Sequence, residues 1–250
     1  MSFIVVIPAR FGSTRFPGKP LALINGKPMI QHVYERSMLA GAQDVIVATD
    51  DKRIGEVVEN FSGKVCYTGN HHESGTERIA EVLSKENISD DAIIVNVQGD
   101  EPFIPPENIA QVANNLIDAS ASPNIQMATL CFPIASKTEL DNPNVVKVNF
   151  AKNGKALYFS RAPIPYDRSW IQNTQSMHDS AYYRHVGIYA YKGAFIHEYI
   201  KLAASHYEKI ESLEQLRVLY HGYDIHVAVA EAAPPHGVDT PEDLERLNRK

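Results

Sequence analysis

The residues with the clearest chemical potential are Arg10, Arg15 and Lys19, set among Gly12, Ser13, Thr14 and Gly18 in the stretch ARFGSTRFPGKP. Glycines let backbone N–H groups approach a ligand closely, and cations beside them favour an anion. Such a loop could hold a triphosphate or a sugar phosphate. It is not a Walker A motif, because five residues separate Gly12 from Gly18 and Pro20 follows Lys19, where that motif needs four and a Ser or Thr. No G-x-G-x-x-G follows a strand-like run, which disfavours a dinucleotide site. A surface turn with solvated cations fits the same composition. The loop's position directly after the apolar run Phe3-Ile4-Val5-Val6-Ile7 favours a site.

A second group is Gln98-Gly99-Asp100-Glu101-Pro102, after the apolar run at 92–97. A hard cation such as Mg²⁺ takes one or two carboxylates plus phosphate oxygens, and Asp100 suits that role; an Asx turn or a cap for the following helix suits it equally. Asp239, before Thr240-Pro241-Glu242-Asp243, has the context of a helix N-cap. Ser74-Gly75-Thr76-Glu77-Arg78 reads as a capping box, or as a helix N-terminus facing a ligand. Arg161 and Arg184-His185 could meet a substrate carboxylate, or be ordinary solvated cations. Neither His71-His72 nor His197-Glu198 has zinc-site partners, Lys201 rules out H-E-x-x-H, and no Ser–His–Asp grouping follows from spacing.

These residues need a frame. The apolar run at 3–7, stopped by Pro8, reads as a strand buried on both faces. Further strands are expected at 44–49, 64–68 and 92–97, alternating with helices at about 28–40, 52–62, 75–85 and 105–118. Four strand–helix units at this spacing predict a parallel, doubly wound α/β sheet. Ligands on such sheets bind beyond the carboxyl ends of the strands. The Arg10–Lys19 loop, Asp50-Asp51 and Gln98-Gly99-Asp100 all fall there. From about 125 the pattern changes to strands at 127–133, 145–150, 156–159 and 182–191, with a hairpin turn at Lys152-Asn153-Gly154-Lys155. Residues 125–191 are therefore expected to form an antiparallel insertion with a possible dimer surface, within a single domain over 1–250. The polar run at 169–180 reads as a mobile loop. Helices at 193–203 and 212–220, a strand at 225–230 and a helix after Pro241 complete the chain.

Of the 250 residues 44% are hydrophobic and 22% charged, which suits a globular protein, and the net charge of −6 argues against a nucleic-acid partner. Cys66 and Cys131 lack CxxC spacing and read as buried thiols in a reducing compartment. With no room for a signal peptide before the first strand and no membrane-length apolar run, a soluble cytoplasmic protein without a membrane partner is expected.

Together, Pro8-Ala9-Arg10, Ser13 to Leu21, Ala48-Thr49-Asp50, Ser74 to Arg78, Asn96 to Pro102, Asn142 to Lys147, Phe159 to Pro165, Arg184 to Tyr189, Leu213 to Arg217 and Gly237 to Leu244 resemble the motifs of the sugar nucleotidylyltransferases. Within them the resemblance is closest to the 3-deoxy-manno-octulosonate (Kdo) cytidylyltransferases, and it spans essentially the whole chain. It implies a nucleotide-diphospho-sugar transferase-like fold, and a reaction of CTP with Kdo to give CMP-Kdo and pyrophosphate with Mg²⁺, feeding lipopolysaccharide assembly. It also implies a cytoplasmic homodimer. Carried over by position, Arg10, Ser13 and Lys19 would hold the CTP phosphates, with Lys19, Arg10 and Asp100 as the catalytic group. Ser74, Gly75 and Thr76 would line the cytosine pocket, Asp100 and Asp239 would bind Mg²⁺, and Arg78, Gln98, Arg161, His185 and Glu214 would contact the sugar acid. The rival readings are a cytidylyltransferase for 8-amino-Kdo or N-acylneuraminate, a glycosyltransferase, and a non-catalytic nucleotide-binding protein.

Overall fold

The apolar runs become the central strands. In the computed structural model, which describes residues 2–12, 16–72, 74–168, 182–235, 237–238 and 240–248, β1 spans Phe3–Ala9. A two-stranded hairpin (β2 Leu23–Ile24, β3 Lys27–Pro28) leads into α1 (Met29–Leu39). There follow β4 (Asp44–Thr49), α2 (Lys52–Asn60), β5 (Lys64–Tyr67), α3 (Gly75–Lys85), β6 (Ile93–Asn96) and α4 (Pro106–Asp118). The second half holds β7 (Ile125–Pro133), α5 (Lys137–Asp141), β8 (Lys147–Phe150), β9 (Ala156–Ser160), β10 (Tyr183–Lys192), α6 (Gly193–Tyr199), α7 (His206–Glu211), α8 (Gln215–Tyr220), β11 (Asp224–Val229) and α9 (Pro241–Asn248). Ser13, Asp239 and the run at 169–180 lie outside the described residues.

Among the described residues one mixed sheet runs β11-β7-β10-β6-β1-β4-β5, with β8 and β9 branching from β10. β6, β1, β4 and β5 are mutually parallel. Helices cover both faces, as expected. Val5, Ile7 and Ala9 share a core with Ile30 and Val33 of α1, Ile54 and Val58 of α2, and Ile109 and Val112 of α4. On the opposite face Val6 shares a core with Ile79, Val82 and Leu83 of α3, Phe195 of α6 and Leu216 of α8. This is the period-2 alternation of a strand buried on both sides.

Pro8 does not end β1, contrary to expectation. The Val6 carbonyl accepts from the Val97 N–H at 3.2 Å. Two residues on, the Pro8 nitrogen turns to that same side, where β6 has already ended at Asn96. No ladder bond is lost, so the proline is tolerated.

The strands of the span 125–191 pair antiparallel with one another, as expected, but they are continuous with the central sheet. β7 and β10 enter the central sheet, where β10 pairs antiparallel with both β6 and β7. β7 is buried over most of its length, while β10 alternates buried and half-buried positions with none exposed, and strands covered on both faces belong inside the sheet. Among the described residues of this span, β8 and β9 form an outlying antiparallel pair, joined by the expected turn with Gly154 at φ +81°. The helix expected over 193–203 stops at Tyr199, that over 212–220 begins only at Gln215, beyond Ser212 at φ 51°, and α7 precedes it where no helix is expected.

Among the described residues no helix is long and apolar enough to cross a membrane. Both cysteines are buried thiols, and burial pushes Cys131 up to about 12.

Candidate active site

The loops after β1 and β6 meet because Pro8 and Gly99 touch. A Cβ on Gly99 would sit 3.1 Å from the Pro8 carbonyl oxygen, tighter than an ordinary contact, so glycine favours the close crossing of the two loops there. This brings Lys19 onto Asp100, with Nζ 2.6 Å from Oδ2. Lys19 also donates to the Val238 carbonyl at 3.0 Å, while the Val238 N–H donates to the Asp100 carbonyl at 3.0 Å. The segment preceding Asp239 is thus fastened to Asp100.

Arg10 turns the other way. Its Nη2 donates to the carbonyls of His72 and Ser74, the latter at 3.3 Å. Ser74 caps α3, its hydroxyl accepting from the Glu77 N–H at 3.1 Å. Gly75 then packs against Pro8 and Asn96. The β1 loop, the α3 N-terminus and the end of β6 converge as the sequence implies.

Beside this charged corner lies a cleft of about 300 Å³. Gly75 and Thr76 form one edge, Asn96 and Gln98 the floor, Gly187, Tyr189 and Tyr191 one wall, and Tyr199 with residues 212–215 the other. The wall at Gly187 exists because β10 bulges between Val186 and Tyr189; bulges often re-aim side chains next to sites. Buried Thr129 fills the bulge, its hydroxyl donating to the Ile188 carbonyl at 2.7 Å and its oxygen meeting His185 Nε2 at 2.9 Å.

The cleft is electrically unlike the corner. Burial raises the hydroxyl pKa of Tyr189 and Tyr191, keeping both neutral. Glu214 is also raised, first by desolvation and then by the charge of Glu208. Asn96 and Gln215 are 3% and 4% exposed, yet among the described residues Asn96 Oδ1 and Gln215 Nε2 have no hydrogen-bond partner. Buried polar atoms are nearly always paired, so these two stand out beside the cleft.

Of the sequence-predicted residues, Gly75, Thr76, Gln98 and Glu214 line the cleft, and Arg10, Ser74, Lys19 and Asp100 form its charged end. Three others sit behind it. Arg78 is fully buried, with Nη1 on Thr68 and 3.5 Å from Asp50. Arg161 spends its guanidinium on the carbonyls of Pro143 (3.0 Å), Glu211 (2.6 Å) and Ser212 (3.3 Å), bracing the turn before Glu214. His185 packs its ring on Tyr189 and opens instead onto a second cavity of about 200 Å³ with Arg184 and Glu139. Burial depresses it to about 3, so its ring is neutral. Asp51, beside the expected site, is the α2 N-cap and bonds Arg53.

Asn96, Gln215 and the three tyrosines were not singled out as site residues. Asn96 carries one signal, a polar residue closing an otherwise apolar strand. As for a cation, among the described residues no three His, Cys, Asp or Glu side chains come together as a metal cage. Asp100, about a third exposed, is a hard oxygen donor that fits a cation taking most of its ligands from phosphate and water.

A family profile described as cytidylyltransferase matches residues 4–225. A 3-deoxy-manno-octulosonate cytidylyltransferase of Alteromonas mediterranea is 60% identical over 248 residues, covering 99% of this chain and 98% of the relative. The one of Vibrio vulnificus is 58% identical over 249 residues, covering 100% and 98%. A solved CMP:2-keto-3-deoxy-manno-octonic acid synthetase in complex with CTP superposes with a TM-score of 0.88 at 45% identity, covering 100% of this chain and 98% of that one. A cytidylyltransferase from Leptospira borgpetersenii, at 17% identity and a TM-score of 0.63 over 99% of this chain and 86% of that one, shares the fold.

Proposed function

The chain belongs to the cytidylyltransferase family, among the 3-deoxy-manno-octulosonate cytidylyltransferases, and from that membership we propose that it transfers the cytidylyl group of CTP to the anomeric hydroxyl of Kdo. The hydroxyl oxygen bonds to the α-phosphorus, the bond from that phosphorus to the bridging oxygen breaks, pyrophosphate leaves in line, and the hydroxyl proton passes to solvent. Such transfers rest on positioning and charge stabilisation more than on a protein nucleophile.

The observation that carries this reading is the placement of Lys19 and Asp100, 2.6 Å apart, at the charged end of a cleft lined mostly by uncharged side chains. Arg10 and Lys19, with Ser13 beside them in sequence, hold the triphosphate, and the α3 N-terminus at Ser74, Gly75 and Thr76 faces the nucleoside. Gln98 and Glu214, joined by Asn96, Gln215 and Tyr189, select the acid, with Arg161 and His185 backing that wall and Arg78 supporting it from the core. Asp100, with Asp239, would hold Mg²⁺. When bound, that ion offsets charge on the phosphate oxygens and the departing pyrophosphate. Lys19 adds a fixed positive charge at the same end.

The test is pyrophosphate release with CTP, UTP or dTTP against Kdo, 8-amino-Kdo and N-acetylneuraminate. Release with CTP and Kdo above every other pair supports the reading; preference for another acid, or intact CTP, overturns it.

We also propose a homodimer. Tyr207 and Ile210 share one face of α7 and are 46% and 78% exposed, and Tyr207 meets half-exposed Tyr220 edge-on. Contiguous exposed apolar surface of this kind marks an interaction site. A second copy covers it, so Ile210→Asp is expected to shift the mass by light scattering from dimer to monomer. A monomeric wild type contradicts this.

A further inference from the structure

Glu81 lies on α3 outside the cleft and takes no part in the chemistry above. It nevertheless gathers the loop between β5 and α3. Its Oε2 accepts the Gly69 N–H at 2.8 Å and meets His72 Nε2 at 2.5 Å. Its Oε1 meets Lys85 Nζ at 2.8 Å, and Lys85 in turn donates to the Tyr67 carbonyl at 2.7 Å. The His72 side chain is 10% exposed, so its ring is held inside this network. The same loop supplies the two carbonyls, of His72 and Ser74, on which Arg10 Nη2 is seated.

These contacts form one continuous path. The Glu81 carboxylate holds the His72 ring, the His72 backbone receives the Arg10 guanidinium, and Arg10 stands at the start of the loop that carries Lys19. Among the described residues Arg10 is anchored to the backbone oxygens of His72 and Ser74, so its direction depends on where that backbone lies. We infer that Glu81 is a positioning residue for the triphosphate: through His72 it sets the carbonyls that aim Arg10. This deepens the proposed function and rests on its assignment of Arg10 to the CTP phosphates. A misplacement of a charged group by about 1 Å costs up to about 100-fold in rate.

The test is a double-mutant cycle of Glu81→Gln and Arg10→Ala, read by the equilibrium dissociation constant for CTP from calorimetry and by KM for each substrate. Glu81→Gln is expected to weaken CTP about tenfold while the KM for Kdo changes less than about twofold. In the Arg10→Ala background the same substitution is expected to change CTP affinity less than about twofold, because groups acting through one another are not additive. Equal effects of Glu81→Gln in both backgrounds would reduce Glu81 to a fold-stabilising clamp and overturn the inference, leaving the role of Arg10 intact. Unchanged CTP affinity in Arg10→Ala alone would overturn the assignment of Arg10 and the inference with it. Should Glu81→Gln fail to fold, His72→Gln removes the same link from the other side, and the identical cycle is expected.

Discussion

The two ends of the cleft satisfy their polar groups in opposite ways. At the charged end Lys19 closes on Asp100 and Arg10 rests on two carbonyls. Along the mostly uncharged wall Asn96 Oδ1 and Gln215 Nε2 are buried with no partner among the described residues. The difference follows from energetics. An uncompensated buried charge costs several kcal/mol, whereas an unmet neutral donor or acceptor costs about 1–3 kcal/mol. Charges are therefore kept paired until a ligand exchanges the partner, while neutral atoms can wait. The charged end is suited to raise the rate, and the wall to choose the acid.

The largest effect that would break this division is expected from Asp100→Asn. Turnover should fall on the order of 1000-fold with an unchanged far-UV circular dichroism spectrum, because the backbone bond from Val238 to the Asp100 carbonyl remains. Near-normal turnover would make Asp100 a turn residue. Next, Gln215→Ala should raise KM for the acid by about 10- to 100-fold, the equivalent of one hydrogen bond in a dry site, and leave KM for CTP nearly unmoved. Steady-state kinetics in both substrates checks this, and an equal rise in both would erase the distinction between wall and corner.

Two glutamates sharpen the comparison through pH. Glu214 is raised, by burial first, so its native form favours the proton; its contribution to stability is fully present below the ordinary carboxylate range and declines as pH rises through the raised value. Glu81 is desolvated too, but hydrogen bonds from Lys85, His72 and the Gly69 N–H outweigh that and lower it from 4.5 to about 2. Its contribution is present above 4.5 and lost as pH falls through about 2. Thermal melts across pH should show Glu214→Gln raising Tm at neutral pH, and Glu81→Gln lowering it there but less towards acid. The smallest effect is expected from Asp51→Ala. Losing the α2 cap should cost about 1 kcal/mol of stability in denaturant melts, with kcat unchanged, because Asp51 sits at a strand end near the site but serves its helix.

Much of this was legible beforehand. β1, β4 and β6 show as apolar runs, and Arg10, Lys19 and Asp100 stand out because charged residues follow them at the ends where parallel sheets bind ligands. The Asn25-Gly26 hairpin between β2 and β3, both residues at positive φ, carries the Asn-Gly turn signal in plain view. What was not legible depends on long-range pairing. The central place of β10 is set by its partners β6 and β7. The significance of Asn96 and Gln215 arises only when folding buries them without partners, and Arg161 reads as a ligand cation until its three carbonyl acceptors from distant turns are seen.

The division of labour between corner and wall is tested most directly by the kcat and both KM values of Lys19→Ala at saturating CTP, Kdo and Mg²⁺. The expected result is a kcat lowered by at least about 100-fold, with KM for Kdo within about threefold of wild type and native circular dichroism. A kcat close to that of the wild type, or a loss confined to KM for Kdo, would contradict it.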